Sequence, residues 1–192
     1  GLAEVRGPAG TWRYEAEGDG WRITTPSGPE HATLDGRGRV VGVSVAGGRV
    51  FTMGHRRDGQ YVIAVDAETG KQLWATRVGG RHQDPQLGGS RSTPSVDGDL
   101  LWAIDTDGDL VCLETATGKE RWRKHMPRDF GAQMMSGWMF SESPLIDGDR
   151  IVVTPGGPRA ALVAMEKRTG KEIWRTAIPR IGSAGGDGAA YS

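Results

Sequence analysis

Three short apolar runs punctuate the middle of this chain: Val62-Ile63-Ala64-Val65, Leu110-Val111-Cys112-Leu113 and Leu162-Val163-Ala164-Met165. Each is followed at once by an acid, a polar turn and a tryptophan. The first leads into Asp66-Ala67-Glu68-Thr69-Gly70-Lys71-Gln72-Leu73-Trp74 and the second into Glu114-Thr115-Ala116-Thr117-Gly118-Lys119-Glu120-Arg121-Trp122. The third leads into Glu166-Lys167-Arg168-Thr169-Gly170-Lys171-Glu172-Ile173-Trp174, so the copies stand 48 and then 52 residues apart. A second anchor, Thr93-Pro94-Ser95-Val96-Asp97-Gly98-Asp99, returns 50 residues later as Ser143-Pro144-Leu145-Ile146-Asp147-Gly148-Asp149. Val43-Ser44-Val45-Ala46-Gly47-Gly48 is a weaker first copy. Two anchors that keep one period identify an internal repeat, and the repeat governs the fold.

Each unit reads as four short strands, a to d, which in the second unit fall at about 92–96, 100–105, 109–114 and 120–124. The Asp-Gly-Asp between a and b, and Asp107-Gly108 between b and c, are hairpin chemistry because glycine accepts a positive φ. In the c–d turn the leading acid, such as Asp66, can accept backbone N–H groups, while Gly70, Gly118 or Gly170 takes the left-handed position. Pro94 and Pro144 suit an edge strand, since proline donates nothing to a ladder. The c strands are apolar on both faces and therefore predict cover on both sides. Four-stranded sheets repeated radially as blades meet that demand and leave only short edges.

The expectation is all-β: one partial β-propeller segment across 1–192, made of four-stranded antiparallel blades. About three are complete, at roughly 39–78, 92–125 and 142–178, with stray terminal strands beside them. Residues 10–14 resemble the outer strand of a further blade, and residues 188–192 the start of a next one. Trp74, Trp122 and Trp174, on the d strands, read as bolts between neighbouring blades.

Composition sharpens this. Glycine is frequent at 31 residues, and seven of the thirteen aromatic residues are tryptophan, as suits many turns and a few large anchors. Lys+Arg and Asp+Glu cancel at 24 each without a block of one sign, which argues against a non-specific nucleic-acid binder. No apolar run approaches the roughly 18 residues of a membrane span. The single cysteine, Cys112, excludes an intrachain disulfide and a multi-thiolate metal site. The chain opens at Gly1 with no signal-peptide pattern, and it reads as a processed or excised piece.

The pattern Ala-x-Asp-x-x-Thr-Gly-Lys-x-x-Trp, complete from Ala64 to Trp74, resembles the tryptophan-docking repeat of the PQQ-like (pyrroloquinoline-quinone-type) β-propeller superfamily. Arg91-Ser92-Thr93-Pro94, Gly108-Asp109-Leu110-Val111-Cys112-Leu113 and Ser141-Glu142-Ser143-Pro144 are most similar to exported bacterial PQQ-binding-like repeat proteins, many of unknown function. The resemblance implies a periplasmic or secreted location. Two better-defined relatives are quinoprotein alcohol dehydrogenases and the outer-membrane assembly lipoprotein with the same propeller. The dehydrogenase resemblance implies PQQ with calcium, held by a vicinal Cys-Cys disulfide, a tryptophan floor and Glu, Asn and Asp ligands. Here Cys112 stands alone, aligned with Ala64 and Ala164, and the chain contains no Asn. No cofactor is evident in this segment, and the reading leans away from an enzyme.

Other motifs dissolve on inspection. Asp105 to Asp109 superficially suggests a calcium loop, but an EF-hand needs its glycine at position six, whereas Gly108 is fourth and marks a hairpin with solvated acids. Pro155-Gly156-Gly157-Pro158 has no helix N-terminus behind it to hold a phosphate. His31, His55, His82 and His125 lack metal-ligand spacing, and no Gly-x-Ser-x-Gly elbow is present.

Topology says more. Four antiparallel strands per blade put the b–c turns and the d-to-a links on one face and the tight a–b and c–d turns on the other. The long links at 78–91 and 124–141 and the loop at 54–60 thus share a face, and loops on a rigid scaffold are where function concentrates. The 124–141 link carries His125, Arg128, Asp129, Phe130, Met134, Met135, Trp138 and Phe140. These either wall a funnel or partner site, or simply plug the link onto the blades. Arg91 and Glu142, where a strands enter the channel, either pair or bind a polar ligand. The candidate face is therefore Arg91, His125, Arg128, Asp129, Trp138 and Glu142, for a protein or small-molecule ligand. The expected function is a non-catalytic scaffold, with a fragment of a quinoprotein alcohol dehydrogenase-type oxidoreductase as the alternative.

Overall fold

The computed structural model describes residues 2–7, 10–17, 20–25 and 28–32 as strands, and residues 42–56, 58–81, 90–134 and 139–177 with their side chains. The repeat becomes three four-stranded antiparallel meanders. The first blade is β5 (Val43–Ala46), β6 (Arg49–Arg56), β7 (Gly59–Asp66) and β8 (Gln72–Gly79). The second is β9 (Ser95–Asp97), β10 (Leu100–Ile104), β11 (Asp109–Glu114) and β12 (Glu120–His125). The third is β13 (Leu145–Asp147), β14 (Arg150–Val153), β15 (Leu162–Glu166) and β16 (Glu172–Thr176).

The amino-terminal stretch differs from expectation. It forms a further antiparallel sheet of β1 (Leu2–Gly7), β2 (Gly10–Glu17), β3 (Gly20–Thr25) and β4 (Gly28–Ala32). Residues 10–14 therefore open an inner strand, β2, paired with β1 on one side and β3 on the other. Closing pairs Gly7↔Gly10, Glu17↔Gly20 and Thr25↔Gly28 place glycine at every hairpin end. Local resemblance around Trp12 could not separate an inner from an outer strand, because pairing partners decide that. Residues 188–192 lie outside the described residues.

In the second blade every residue of β10 is buried, and alternate side chains serve different neighbours, as the period of two in a strand requires. Leu101, Ala103, Val111 and Leu113 pack with Phe51, Met53, Val62, Ala64 and Val78 of the first blade. Leu100, Trp102, Ile104, Leu110 and Cys112 pack with Ile151, Val153, Val163 and Met165 of the third. The core is thus two inter-blade layers, one on each face of the second sheet.

The c–d turns carry the contacts that repeat. Asp66 Oδ1 accepts the Thr69 N–H at 2.8 Å and the Glu68 N–H at 3.2 Å. Asp66 Oδ1 also accepts the Thr69 hydroxyl at 2.7 Å, and the longer Glu114 and Glu166 likewise accept the Thr117 and Thr169 hydroxyls. Each d-strand tryptophan pairs across strands with a small residue: Trp74 with Ala64, Trp122 with Cys112 and Trp174 with Ala164. Trp74 Nε1–H donates to the Thr115 carbonyl of the second blade at 3.1 Å, and Trp122 Nε1–H to the Lys167 carbonyl of the third at 3.0 Å. The buried Trp102 donates to that same Lys167 carbonyl. At the opposite edge, Ser44 donates to the Pro94 carbonyl and Ser95 to the Pro144 carbonyl, joining consecutive a strands.

Trp174 occupies the equivalent position in the third blade but is 39 % exposed, with no turn seated on it among the described residues.

Candidate functional site

The link after β12 begins with a short helix, α1 (Met126–Phe130), started by Pro127 near its N-terminus and stopped by Gly131 at φ 66°. Asp129 folds back to accept the His125 N–H at 2.9 Å and also binds Arg128, which holds its carboxyl below the usual range. His125 Nδ1 lies 3.3 Å from Asp109. Met126, Phe130 and Phe140 are buried in the layer between the second and third blades, and Met134 packs against it. The far end is anchored too: Gln133 N–H donates to the Pro155 carbonyl and Phe140 N–H to the Thr106 carbonyl. These apolar residues therefore plug the link onto the blades. Arg128 remains outside, its side chain 70 % exposed. Trp138 and Met135 lie outside the described residues.

Glu142 is buried, and its carboxylate accepts the Thr154 N–H at 2.9 Å and the Thr154 hydroxyl. Burial pushes its pKa to about 7, against the pull of the Thr154 N–H. Ser92, the matching residue of the second blade, bonds the Ile104 N–H in the same manner, so Glu142 enlarges a structural position. Arg91 is half-buried one residue before Ser92.

The Asp105–Asp109 segment is a hairpin, with Gly108 at φ 89°. Its acids are not all solvated, however: Asp105 is fully buried and Asp107 and Asp109 are half-buried. Asp105 Oδ1 accepts the Asp107 and Asp109 N–H groups, while desolvation and its acidic neighbours push its pKa to about 7. Gln60, wholly buried in the first blade, accepts the Thr106 N–H at 3.0 Å and places its amide 3.5 Å from Asp105. Sequence reasoning missed this bridge between blades. A glutamine at the start of an apolar strand was its single signal.

What stays exposed around this face is mostly cationic. Arg56 in the first b–c loop, Arg81 after β8, Arg128 on α1 and Arg159 in the third b–c loop are exposed, as is His55. Asp58 is the one exposed acid among the described residues of these loops. Arg56 lies 4.7 Å over the Tyr61 ring, whose hydroxyl donates to Asp58.

Cys112 does not fit the vicinal disulfide that the dehydrogenase resemblance implies. Cys112 is fully buried opposite Trp102 and Trp122, where burial pushes its thiol to about 12, and it has no second cysteine to join.

Comparison with known proteins places the chain among repeats of this kind. The model of a family described as "Outer membrane protein assembly factor BamB" matches residues 58–181, more than half of the chain. The outer membrane protein assembly factor BamB of Burkholderia pseudomallei is 26% identical over 132 residues, covering 68% of this chain and 30% of that protein. The quinohemoprotein alcohol dehydrogenase ADH IIB of Pseudomonas putida is 27% identical over 128 residues, covering 59% and 17%. This chain therefore spans less than a third of either relative. Among solved structures, BamB from Moraxella catarrhalis superposes with a TM-score of 0.52 at 19% identity, covering 92% of this chain and 50% of that one.

Proposed function

The chain belongs to the family of the outer membrane protein assembly factor BamB, and on that premise we propose that it is a propeller scaffold which binds a protein partner at its loop-rich face and carries out no chemistry of its own. The supporting observation is the set of exposed Arg56, Arg81, Arg128 and Arg159 around that face, against one exposed acid, Asp58, among the described residues of its loops. Arginine on rigid loops favours partners that present carboxylates, and such charges chiefly set encounter rate and specificity. The titratable groups buried nearby, Glu142 and Asp105, bind backbone N–H groups of their own or the adjacent strand and so serve the scaffold. The family's name suggests a partner within outer-membrane protein assembly, and an exported, periplasmic or secreted location accompanies this reading. No helix among the described residues is long and apolar enough to cross a membrane.

The test is binding of the 192-residue chain to purified outer-membrane protein assembly factors of its host. Replacing Arg56, Arg128 and Arg159 by Glu should weaken association by about tenfold or more and flatten its salt dependence. Equal binding by both forms would remove the loop-rich face from the reading. Bound-quinone absorbance on titration with PQQ and calcium would replace the scaffold with the oxidoreductase alternative.

A further inference from the structure

The hairpin at Asp105–Asp109 joins three parts of the molecule. Met126 N–H donates to the Gly108 carbonyl at 2.8 Å and Phe140 N–H to the Thr106 carbonyl at 3.2 Å, so both ends of the link that carries α1 are tied to it. Pro127 and Phe140 also close over Gly108, where a Cβ would stand 2.9 Å from the first ring and 2.8 Å from the second. On the hairpin's other flank stands the first blade. Gln60 Oε1 accepts the Thr106 N–H, and Gly79 lies so near that a Cβ there would stand 1.8 Å from Asp105 Oδ2. Arg123 of β12 donates to the Val78 carbonyl beside it.

The Asp105 carboxyl is at the centre of these contacts. Its Oδ1 accepts the Asp107 and Asp109 N–H groups and so shapes the turn from within. Its Oδ2 is turned to the first blade, where the Gln60 amide reaches it only at 3.5 Å, a long contact. The charged groups around it are Asp107 and Asp109 on the hairpin and Arg123 and His125 on β12, and both of the latter are drawn to Asp109 at 3.3 Å. The first blade presents the neutral Gln60 and Gly79, and on α1 Asp129 is paired with Arg128. Among the described residues no cation is ion-paired with Asp105, so an ionised carboxyl would be desolvated on its first-blade side with only that long amide contact.

We propose that Asp105 is a pH-sensitive latch: protonated, it holds the hairpin against Gln60 and Gly79, and ionised, it releases that contact and loosens both ends of the α1 link. An ionised carboxyl gains hydration only if Oδ2 separates from Gly79, and the hairpin that then shifts is the one to which Met126 and Phe140 are bonded. The consequence for function rests on the reading of the loop-rich face as the partner site, because this link carries the exposed Arg128 there. Acidic conditions would present that arginine on a fixed link, and alkaline conditions on a looser one.

Hydrogen exchange of the full 192-residue chain, corrected for the intrinsic pH dependence of exchange, tests this. Asp105 is held at about 7 when latched, above its ordinary 3.8, so the latched state is favoured below that value and loses ground as pH rises through it. The amides of Thr106, Asp109, Met126 and Phe140 should therefore lose about tenfold in protection between about pH 6 and about pH 8. Those of Gly118 and Gly170, bonded within c–d turns on the opposite face, should not change. Asp105→Asn, isosteric with the protonated acid, should keep full protection at both values. Gly79→Ala wedges the contact open and should show the alkaline pattern throughout, while Glu142→Gln should leave the loss intact. Equal protection of the four amides at both values would overturn the proposal. So would a loss shared equally by Gly118 and Gly170, or one abolished by Glu142→Gln. The unvaried chain and Glu142→Gln decide the matter even if the other two variants fail to fold. Failure to bind outer-membrane protein assembly factors would remove the partner reading and leave the latch standing.

Discussion

The indole of Trp122 lies across Gly170, so closely that a Cβ at that glycine would stand 2.8 Å from the ring's Cδ2. Trp74 covers Gly118 in the same way, at 2.5 Å from ring Cε3. Gly118 and Gly170 also hold φ at 70° and 68°, so backbone conformation and close approach both demand glycine there.

Gly70 separates the two demands, since it shares the positive φ, 66°, but nothing among the described residues lies within 4 Å of where its Cβ would stand. Gly70→Ala should cost about 1 kcal/mol, for the left-handed backbone alone. Gly170→Ala should cost about 3 kcal/mol, because it also overpacks against Trp122. Urea unfolding of the two variants measures the difference; equal costs would mean that the tryptophan contact contributes nothing.

Trp122→Ala should destabilise the chain by about 3 kcal/mol, since the ring packs on the inter-blade layer and its N–H binds Lys167 O. Trp174→Ala should cost less than about 1 kcal/mol, because that residue is 39 % exposed with no blade upon it among the described residues. Thermal unfolding of both variants checks the order.

Stability should fall as pH rises between about 4 and 7. Glu142 and Asp105 have folded pKa values of about 7, raised from 4.5 and 3.8, so in this window the folded chain keeps protons that the unfolded chain has released. Their contribution is complete below the unfolded values and lost as pH passes through 7. The lowered carboxyls of Asp66, Asp99 and Glu172 act oppositely, but only at more acidic pH. Urea midpoints at about pH 5 and about pH 8 should differ in favour of the lower pH, and Glu142→Gln should shrink the gap. A flat profile would contradict the burial of both groups.

Cys112 should resist thiol reagents in the folded chain and react fully in denaturant. It is wholly buried with its thiol pushed to about 12, and the thiolate is the reactive species. Rapid native labelling would show that the layer between the second and third blades opens readily.

Much of the fold was legible because a repeat states its period in composition. The acid, the Thr-Gly-Lys turn and the tryptophan recur at fixed offsets, and a strand apolar on both faces, such as β11, has to be covered twice. The candidate face was legible as topology: antiparallel order alone puts the b–c turns and d-to-a links together. Its chemistry was less so. Asp105 looked like a solvated hairpin acid because the string Asp-Thr-Asp-Gly-Asp contains no trace of Gln60, which lies 45 residues earlier and shields it from another blade. Phe130 and Phe140 left both a partner and a plug open until the packing layer beneath them was in place.

The sequence by itself determined the strands and turns of the three repeats and the residues that recur in them, since these follow from local periodicity and from backbone conformations that few residues other than glycine adopt readily. Only the tertiary structure decided which copies of a repeated residue are used. Trp74, Trp122 and Trp174 are interchangeable as letters, yet two cover a neighbour's glycine and one is open to solvent. Asp97 and Asp147 are likewise the same residue in corresponding turns, and among the described residues only the first has a lysine of the next blade upon it. Such differences belong to the contact between blades, which depends on what lies opposite in space and not on what lies next along the chain.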